Sequence, residues 1–386
     1  MLTNKKSKKK QNLRMKSPDM NLERVVLSGG GTGGHIFPAI AVADEIKRRY
    51  PNAEILFVGA IGKMEMEKVP AAGYPITGLP IAGLQRKLTI KNLILPFKLL
   101  KSLFQARSVL KGFNPQVVVG FGGYASGPTL KMANLLGIPT LIQEQNSFPG
   151  KTNKLLAPKA KAICTAYSGL EKYFASSNIV ETGNPVRLEV TQIEGKKAEG
   201  YSFYALDPTK KTILIIGGSL GARTLNQAII HHISTIESSD IQVLWQCGKL
   251  YNTQLNNELS QLQLSTIHRV QFIERMDLAY AVADLIISRA GAISVSELCL
   301  VGKPVILVPS PNVAEDHQTK NAMALVNSNA AVLVRDKEAI ENMIPRAIEL
   351  LQDQNACVEL SANILQLGKP NATVSIVNEI EKYARS

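Results

Sequence analysis

Short apolar runs alternate with helical patterns along most of the chain. Val25–Leu27, Ile55–Val58, Val117–Val119, Thr140–Ile142, Ala162–Cys164 and Ile179–Glu181 read as strands, with helices at Ile40–Arg49, Lys91–Lys111 and Thr129–Leu136. Strands this short and this continuously apolar suit a parallel sheet covered on both faces, and their alternation with helices predicts an α/β fold. Around Gly183–Tyr204 the pattern lapses into the polar stretch TQIEGKKAEGYSFY, which has the composition of a linker. It then restarts with a strand at Thr212–Ile216, a glycine turn at Gly217–Arg223 and a helix at Thr224–Ile236. Further strands are expected at Gln242–Trp245, Val270–Ile273, Leu285–Ser288, Val305–Pro309 and Ala331–Val334, and a closing helix near Val374–Ala384 can pack on either half. Two such halves predict two Rossmann-like domains with parallel sheets facing across a cleft. The expected divisions are a leader (1–20), a first domain (21–184), a linker (185–210), a second domain (211–370) and the closing helix (371–386).

The stretch VVLSGGGTGGHIFP, Val25–Pro38, stands out from this pattern because five of the six residues after Ser28 are glycine. A strand, a glycine turn and a helix start bring main-chain N–H groups together on something anionic or electron-rich. A plain tight turn is the simpler alternative, but it needs only one or two glycines. His35 borders this loop at the carboxyl end of an expected parallel strand, where ligands bind in open α/β sheets.

At 386 residues the chain is long enough for two domains, each with its own core. The four cysteines are scattered, with no zinc spacing, and read as buried thiols in a reducing compartment. The net charge of +13 is uneven. Residues 1–20 carry seven basic side chains and one acid, and no apolar signal core follows, so they read as a disordered leader. Between Glu67 and Glu144 there is no acid at all, while Lys68, Arg86, Lys87, Lys91, Lys98, Lys101, Arg107, Lys111 and Lys131 are basic. Such a surface suits an anionic partner: lipid headgroups, a phosphorylated lipid or nucleic acid. Within it, Leu93, Phe97, Leu100 and Phe104 share one helical face, and Leu95, Leu99 and Leu103 widen it. Lys91, Lys98 and Lys101 lie opposite. No apolar run is long enough to span a membrane, but a basic amphipathic helix can lie in the interface. An ordinary surface helix with solvated lysines has the same pattern.

The literal Gly29-x-Gly31-x-x-Gly34 matches a dinucleotide fingerprint, yet the second strand ends in Gly59–Ala60, with no acid to hold a ribose. A better carboxylate is Glu297, in a helix that opens after Ser288–Gly291. Amides at that helix start can hold a phosphate, and Glu297 can accept from two ribose hydroxyls or be an ordinary surface acid. No P-loop and no D-x-D motif occur, so neither an NTPase cradle nor a carboxylate-held metal is expected. Charge on a leaving diphosphate would fall to helix N-termini and Arg187. Arg187 is otherwise a linker salt bridge.

Taken together, GGGTGGHIFPAIAVA, VVGFGGYASGP, IQEQNSFPGKTN, TGNPVR, IGGSLGA, RAGAISVSEL and EDHQTKNA, in this order from about Asn21 onward, resemble glycosyltransferase family 28. The resemblance implies a GT-B fold and inverting transfer of GlcNAc from UDP-GlcNAc to the C4 hydroxyl of MurNAc in the undecaprenyl-diphosphate-linked pentapeptide. That step belongs to peptidoglycan synthesis at the cytoplasmic face of a bacterial inner membrane, and it supports cell shape and division. The acceptor lipid would sit on the first domain and the donor mostly on the second, with no cofactor and no nucleic-acid partner. By motif, Thr32, Gly33, Gly34, Asn146, Arg187 and Ser219 line the donor cleft. Ile273 lies along the uracil, Ala292 and Ile293 lie near the diphosphate and base, Glu297 is on the ribose and Gln318 on the sugar. His35, the sole histidine of the first half, is then the candidate base for the attacking hydroxyl, or a group that only orients it. A UDP-GlcNAc 2-epimerase and a diacylglycerol glycosyltransferase share the architecture and are the rival enzymes. A nucleic-acid-binding module lacks any supporting signature.

Overall fold

A computed structural model describes residues 21–81, 95–174, 178–187, 191–313 and 316–385. The basic leader and Lys91 lie outside them. The first half runs β1 (Arg24–Ser28), α1 (Gly33–Arg49), β2 (Glu54–Ala60), α2 (Glu65–Ala71), β3 (Ile76–Leu79), α3 (Leu95–Phe113), β4 (Val117–Gly120), α4 (Ser126–Leu135), β5 (Thr140–Glu144), α5 (Lys151–Leu156), β6 (Ala162–Thr165) and β7 (Ile179–Glu181). The second runs α6 (Lys197–Phe203), β8 (Lys211–Ile216), α7 (Arg223–His231), α8 (Ile233–Glu237), β9 (Ile241–Gln246), α9 (Asn252–Leu259), β10 (Ile267–Val270), α10 (Met276–Val282), β11 (Leu285–Ser288), α11 (Ala292–Val301), β12 (Val305–Leu307), α12 (His317–Val326), β13 (Val332–Leu333), α13 (Ala339–Gln352), α14 (Gln354–Gln366) and α15 (Ala372–Tyr383).

Two parallel sheets result, ordered β3-β2-β1-β4-β5-β6-β7 and β10-β9-β8-β11-β12-β13. Both reverse direction beside their first strand, between β1 and β4 and between β8 and β11, as Rossmann sheets do. Register pairs Val26 with Val118 across the first reversal and Leu214 with Ile286 across the second. The central residues of these strands are apolar because both faces are covered: Val25 and Leu27 pack under α1, and Val26 packs on the opposite side with Leu110 and Leu130. Each side chain so buried contributes about 1.5–3 kcal/mol.

The chain closes on itself. Ile376, Val377 and Ile380 of α15 are fully buried in the core of the first half, beside α1, although α15 follows the second. Arg49 fixes the crossing, pairing with Glu381 at 2.8 Å and with Glu45 at 2.8 Å.

Several elements differ from the sequence expectation. The strand expected at Val270–Ile273 lies at Ile267–Val270, leaving Ile273 in the loop beyond. β10 is an edge strand, so His268 and Arg269 are tolerated there and mask its signal. β3, at the other sheet's edge, gave no signal either: ITGL is short and carries a glycine. The helix expected at Thr224–Ile236 breaks at His232, whose Nε2 lies 3.1 Å from the Ile340 and Glu341 carbonyls. Residues read as linker carry α6, which packs on α10, and Ile193, Tyr201 and Leu206 join the second core.

Helix α3 forms as its spacing predicts, with Pro96 tolerated in the first turn. Its buried face is Ser102, Ala106 and Leu110. Phe97 (74% exposed), Leu100 (53%) and Phe104 (66%) therefore point outward with Leu99. Leu95 and Leu103 are half-buried, while Lys98 and Lys101 are exposed. A groove of about 350 Å³ between α3 and α4 continues the apolar surface, lined by Leu100, Leu103, Phe104, Met132 and Leu135. No described helix is long and apolar enough to cross a membrane.

Candidate active site

The loops that follow β1 and β4 interlock at the first reversal point. Gly31, Gly122 and Gly123 all have left-handed backbones, and a Cβ on Gly123 would lie 2.3 Å from the Gly30 carbonyl oxygen. Only glycine lets the two loops approach this closely.

Helix α1 starts at Gly33, seven residues before the sequence pattern becomes helical, which puts His35 in its first turn beside Thr32 and Gly34. His35 Nδ1 lies 2.8 Å from the Gly30 carbonyl. A carbonyl only accepts, so Nδ1 carries the proton and Nε2 keeps the lone pair. Burial lowers the His35 pKa below its ordinary value. Gly30, Glu144 and Glu65 pull it up less than burial pushes it down, and His317 from the second half adds to the lowering. The ring is thus neutral near pH 7, and Nε2 is free to take a proton.

Two carboxylates behind this loop carry more of the site than their sequence context suggested. Glu65 is 1% exposed and accepts from Gly31 N–H and Ala60 N–H, both at 2.9 Å. The only sequence signal for it is indirect: Cβ atoms on Gly30 and Gly59 would strike its side chain. Glu65 thereby fixes the peptide whose carbonyl orients His35. Glu65→Gln should lower kcat about 10- to 100-fold while the donor KM stays within about threefold. It should also move the acid limb of the pH–rate profile to lower pH, because one of the groups raising the His35 pKa is gone. Glu144 accepts from Asn146 N–H (3.0 Å) and Nδ2 (3.2 Å), Gly150 N–H (3.0 Å) and Asn153 Nδ2 (2.8 Å), so it shapes the loop that presents Asn146.

Across the cleft, α7 and α11 begin without side-chain caps, at Ala222 and Gly291. The first N–H groups of α7, from Arg223 on, and of α11, at Ala292 and Ile293, have no intrahelical acceptor and can meet an anion, and in the loop before α7, Ser219–Ala222, only Gly221 N–H is taken, by the Gly218 carbonyl at 3.0 Å. Gly221 and Gly248 hold the first of these loops against the next: a Cβ on Gly221 would lie 2.1 Å from the Cys247 carbonyl oxygen. Ser219 is exposed on the loop. Ile273 is buried, its N–H donated to Gln246 Oε1 at 2.9 Å. Gln318 Oε1 accepts from Ser310 N–H at 2.8 Å, which leaves its Nε2 to donate elsewhere.

Glu297 lies on α11, and burial pushes its pKa up to about 7 against the pull of Arg187 and the Tyr280 hydroxyl, which donates to it at 3.2 Å. Arg187 joins the two halves. Its guanidinium is 5.2 Å from the Phe37 ring of α1 and close enough to Glu297 to favour the ionised form. Among the described residues no carboxylate forms an ion pair with it; the linker salt bridge expected as the alternative would involve residues 188–190, which lie outside the described residues. Direct bonds also cross the gap: Asn184 Nδ2 to Ser296 Oγ at 3.0 Å, and Ser147 Oγ to Asn321 Oδ1 at 3.0 Å. No group of three His, Cys, Asp or Glu among the described residues is placed to share a metal ion.

The comparisons with known proteins agree in both halves. Residues 25–165 match the glycosyltransferase family 28 N-terminal domain, and residues 212–374 match the family's C-terminal domain. The UDP-N-acetylglucosamine–N-acetylmuramyl-(pentapeptide) pyrophosphoryl-undecaprenol N-acetylglucosamine transferase of Parabacteroides distasonis is 53% identical over 363 residues, 94% of this chain and 99% of the relative. The Flavobacterium psychrophilum enzyme of the same name is 53% identical over 367 residues, 95% and 99% of the two chains. The crystal structure of Acinetobacter baumannii MurG superposes with a TM-score of 0.72 at 31% identity, covering 93% of this chain and 99% of that one. A Neisseria meningitidis UDP-GlcNAc 2-epimerase reaches a TM-score of 0.65 over 93% of this chain and all of its own, but at 15% identity it shares the fold alone.

Proposed function

The chain belongs to glycosyltransferase family 28, and we propose that it moves N-acetylglucosamine from UDP-GlcNAc to the C4 hydroxyl of MurNAc in the undecaprenyl-diphosphate-linked pentapeptide. The observation that carries the chemistry is the His35–Gly30 contact, which leaves a neutral Nε2 beside the cleft. There it takes the proton of the C4 hydroxyl as that oxygen attacks the anomeric carbon. One displacement inverts the centre and releases UDP. The departing diphosphate meets amides at the starts of α7 and α11 and the Arg187 guanidinium, all held in place before the charge develops. Glu297 accepts from the ribose hydroxyls, and Thr32, Gly33, Gly34, Asn146 and Gln318 line the space for the sugars.

Mixing UDP-GlcNAc with a soluble analogue of the lipid-linked acceptor should release UDP at a rate that depends on the acceptor. Conversion of UDP-GlcNAc to its 2-epimer without any acceptor would favour the epimerase reading instead.

The acceptor's lipid is anchored in a bilayer, so the outward apolar face of α3 and its flanking lysines dock the protein on the anionic cytoplasmic surface of the inner membrane. Leu95, Leu99 and Leu103 support that contact, but the most exposed side chains are Phe97, Leu100 and Phe104. Replacing these three with serine should cut binding to anionic vesicles at least tenfold while turnover of a soluble acceptor persists. Unchanged vesicle binding would make α3 a structural helix only. The product feeds peptidoglycan synthesis, and with it cell shape and division.

A further inference from the structure

Phe148, in the loop after β5, carries a lysine from each half of the molecule. Lys154 Nζ lies 4.1 Å from its ring centroid and Lys320 Nζ 3.7 Å. The two ammonium groups are therefore within about 8 Å of each other, inside one Debye length at physiological salt. Tyr173 packs edge-on against Phe148 and meets Lys154 at 5.0 Å. The ion pairs among the described residues engage neither Lys154 nor Lys320. Like charges brought this close repel, and one ring's quadrupole offsets only part of that cost. An anion between them removes the repulsion and gains an attraction to each.

The position is informative too. Ser147, next to Phe148, donates its N–H (3.2 Å) and hydroxyl (3.0 Å) to Asn321, which follows Lys320. Gln318, expected on the donor sugar, is two residues before Lys320 on α12. The two lysines thus lie on the seam between the halves, beside the candidate active site.

We propose that Lys154 and Lys320, held over Phe148, form a clasp for an anionic group of the acceptor and that binding there draws the two halves together on it. The inference rests on the transferase reading above, and the acceptor offers such oxygens in two places, its diphosphate and its peptide carboxylates.

Steady-state kinetics with a soluble acceptor tests it, using Lys154→Met and Lys320→Met, which keep an apolar stem on the ring. The acceptor KM should rise roughly tenfold in each, with the donor KM moving less than about twofold. The double variant should fall short of the product of the singles, since either loss opens the clasp. Lys320→Arg should recover most of the affinity, because a guanidinium keeps the charge and stacks on the ring. Analogues lacking the peptide, or with a neutral group in place of the diphosphate, identify the source: the analogue on which wild type and variants no longer differ lacks the clasped anion. Unchanged acceptor KM values with wild-type turnover intact, or a rise confined to the donor, would overturn the clasp and leave the reaction standing. No wild-type turnover with any acceptor would overturn the reaction and the clasp with it.

Discussion

His35→Ala should lower kcat about 1,000-fold, equivalent to about 4 kcal/mol of barrier, while UDP-GlcNAc should bind within about twofold of wild type. The asymmetry follows from the geometry. His35 Nδ1 is occupied by Gly30, so what the ring has left to offer is the Nε2 lone pair, assigned in the proposed mechanism to the acceptor hydroxyl and not to the donor. Because burial holds its pKa below the ordinary histidine value, kcat stays level through neutrality and falls only on further acidification, as Nε2 is protonated. Single-turnover rates and equilibrium binding of the variant check both halves of the statement. A large loss of donor binding with the rate intact would make His35 a donor ligand and remove it as the base.

Glu297→Ala should raise the donor KM about 100-fold, by removing the two charge-assisted hydrogen bonds proposed to the ribose. The wild-type group titrates at about 7, and its ionised form is the better acceptor for those hydroxyls. Donor KM should therefore be flat above pH 7 and climb about tenfold per unit below it, a limb that Glu297→Gln should abolish. The same shift has a stability consequence with a definite sign. A carboxyl raised from 4.5 to about 7 by folding favours the folded state most below its unfolded value, and that contribution is lost as pH rises through about 7. At pH 8, without nucleotide, Glu297→Gln should thus be more stable than wild type, by about 2 kcal/mol. Equal stability of the two proteins across that range would mean that Glu297 is hydrated and not held against the protein.

What the sequence made legible was whatever depends on local pattern. Apolar runs ending in glycine turns located β1, β4, β8 and β11, and the helix after each turn followed. Two edge strands were poorly legible, β3 unseen and β10 placed three residues too late, since an edge needs no continuous apolar run: β3 carries a glycine and β10 a His–Arg pair. The helical period found α3 but not its orientation. Its widest apolar arc faces outward, because Ser102, Ala106 and Leu110 are small or well placed enough to pack on α4 and the sheet. The docking of α15 on the first half was equally hidden, since Ile376, Val377 and Ile380 show an apolar face without saying which core receives it. Of the proposed site, local pattern singled out His35, Arg187 and Glu297, and motif order added Asn146. Glu65 was out of reach, because a glutamate in a charged MEMEKVP run looks solvated until the turn after β1 folds over it. The same holds for the lysine pair on Phe148, whose members are 166 positions apart in the chain.

The central claim is that donor and base meet across the gap between the two sheets, with main-chain dipoles and Arg187 receiving the leaving charge. A crystal structure with UDP-GlcNAc bound tests it most directly. The diphosphate should lie on the amides at Ser219–Ala222 and Ala292–Ile293, with the ribose hydroxyls on Glu297. The anomeric carbon should face His35 Nε2, with room for one sugar hydroxyl between them. A nucleotide seated outside this gap, or a sugar turned away from His35, would contradict it.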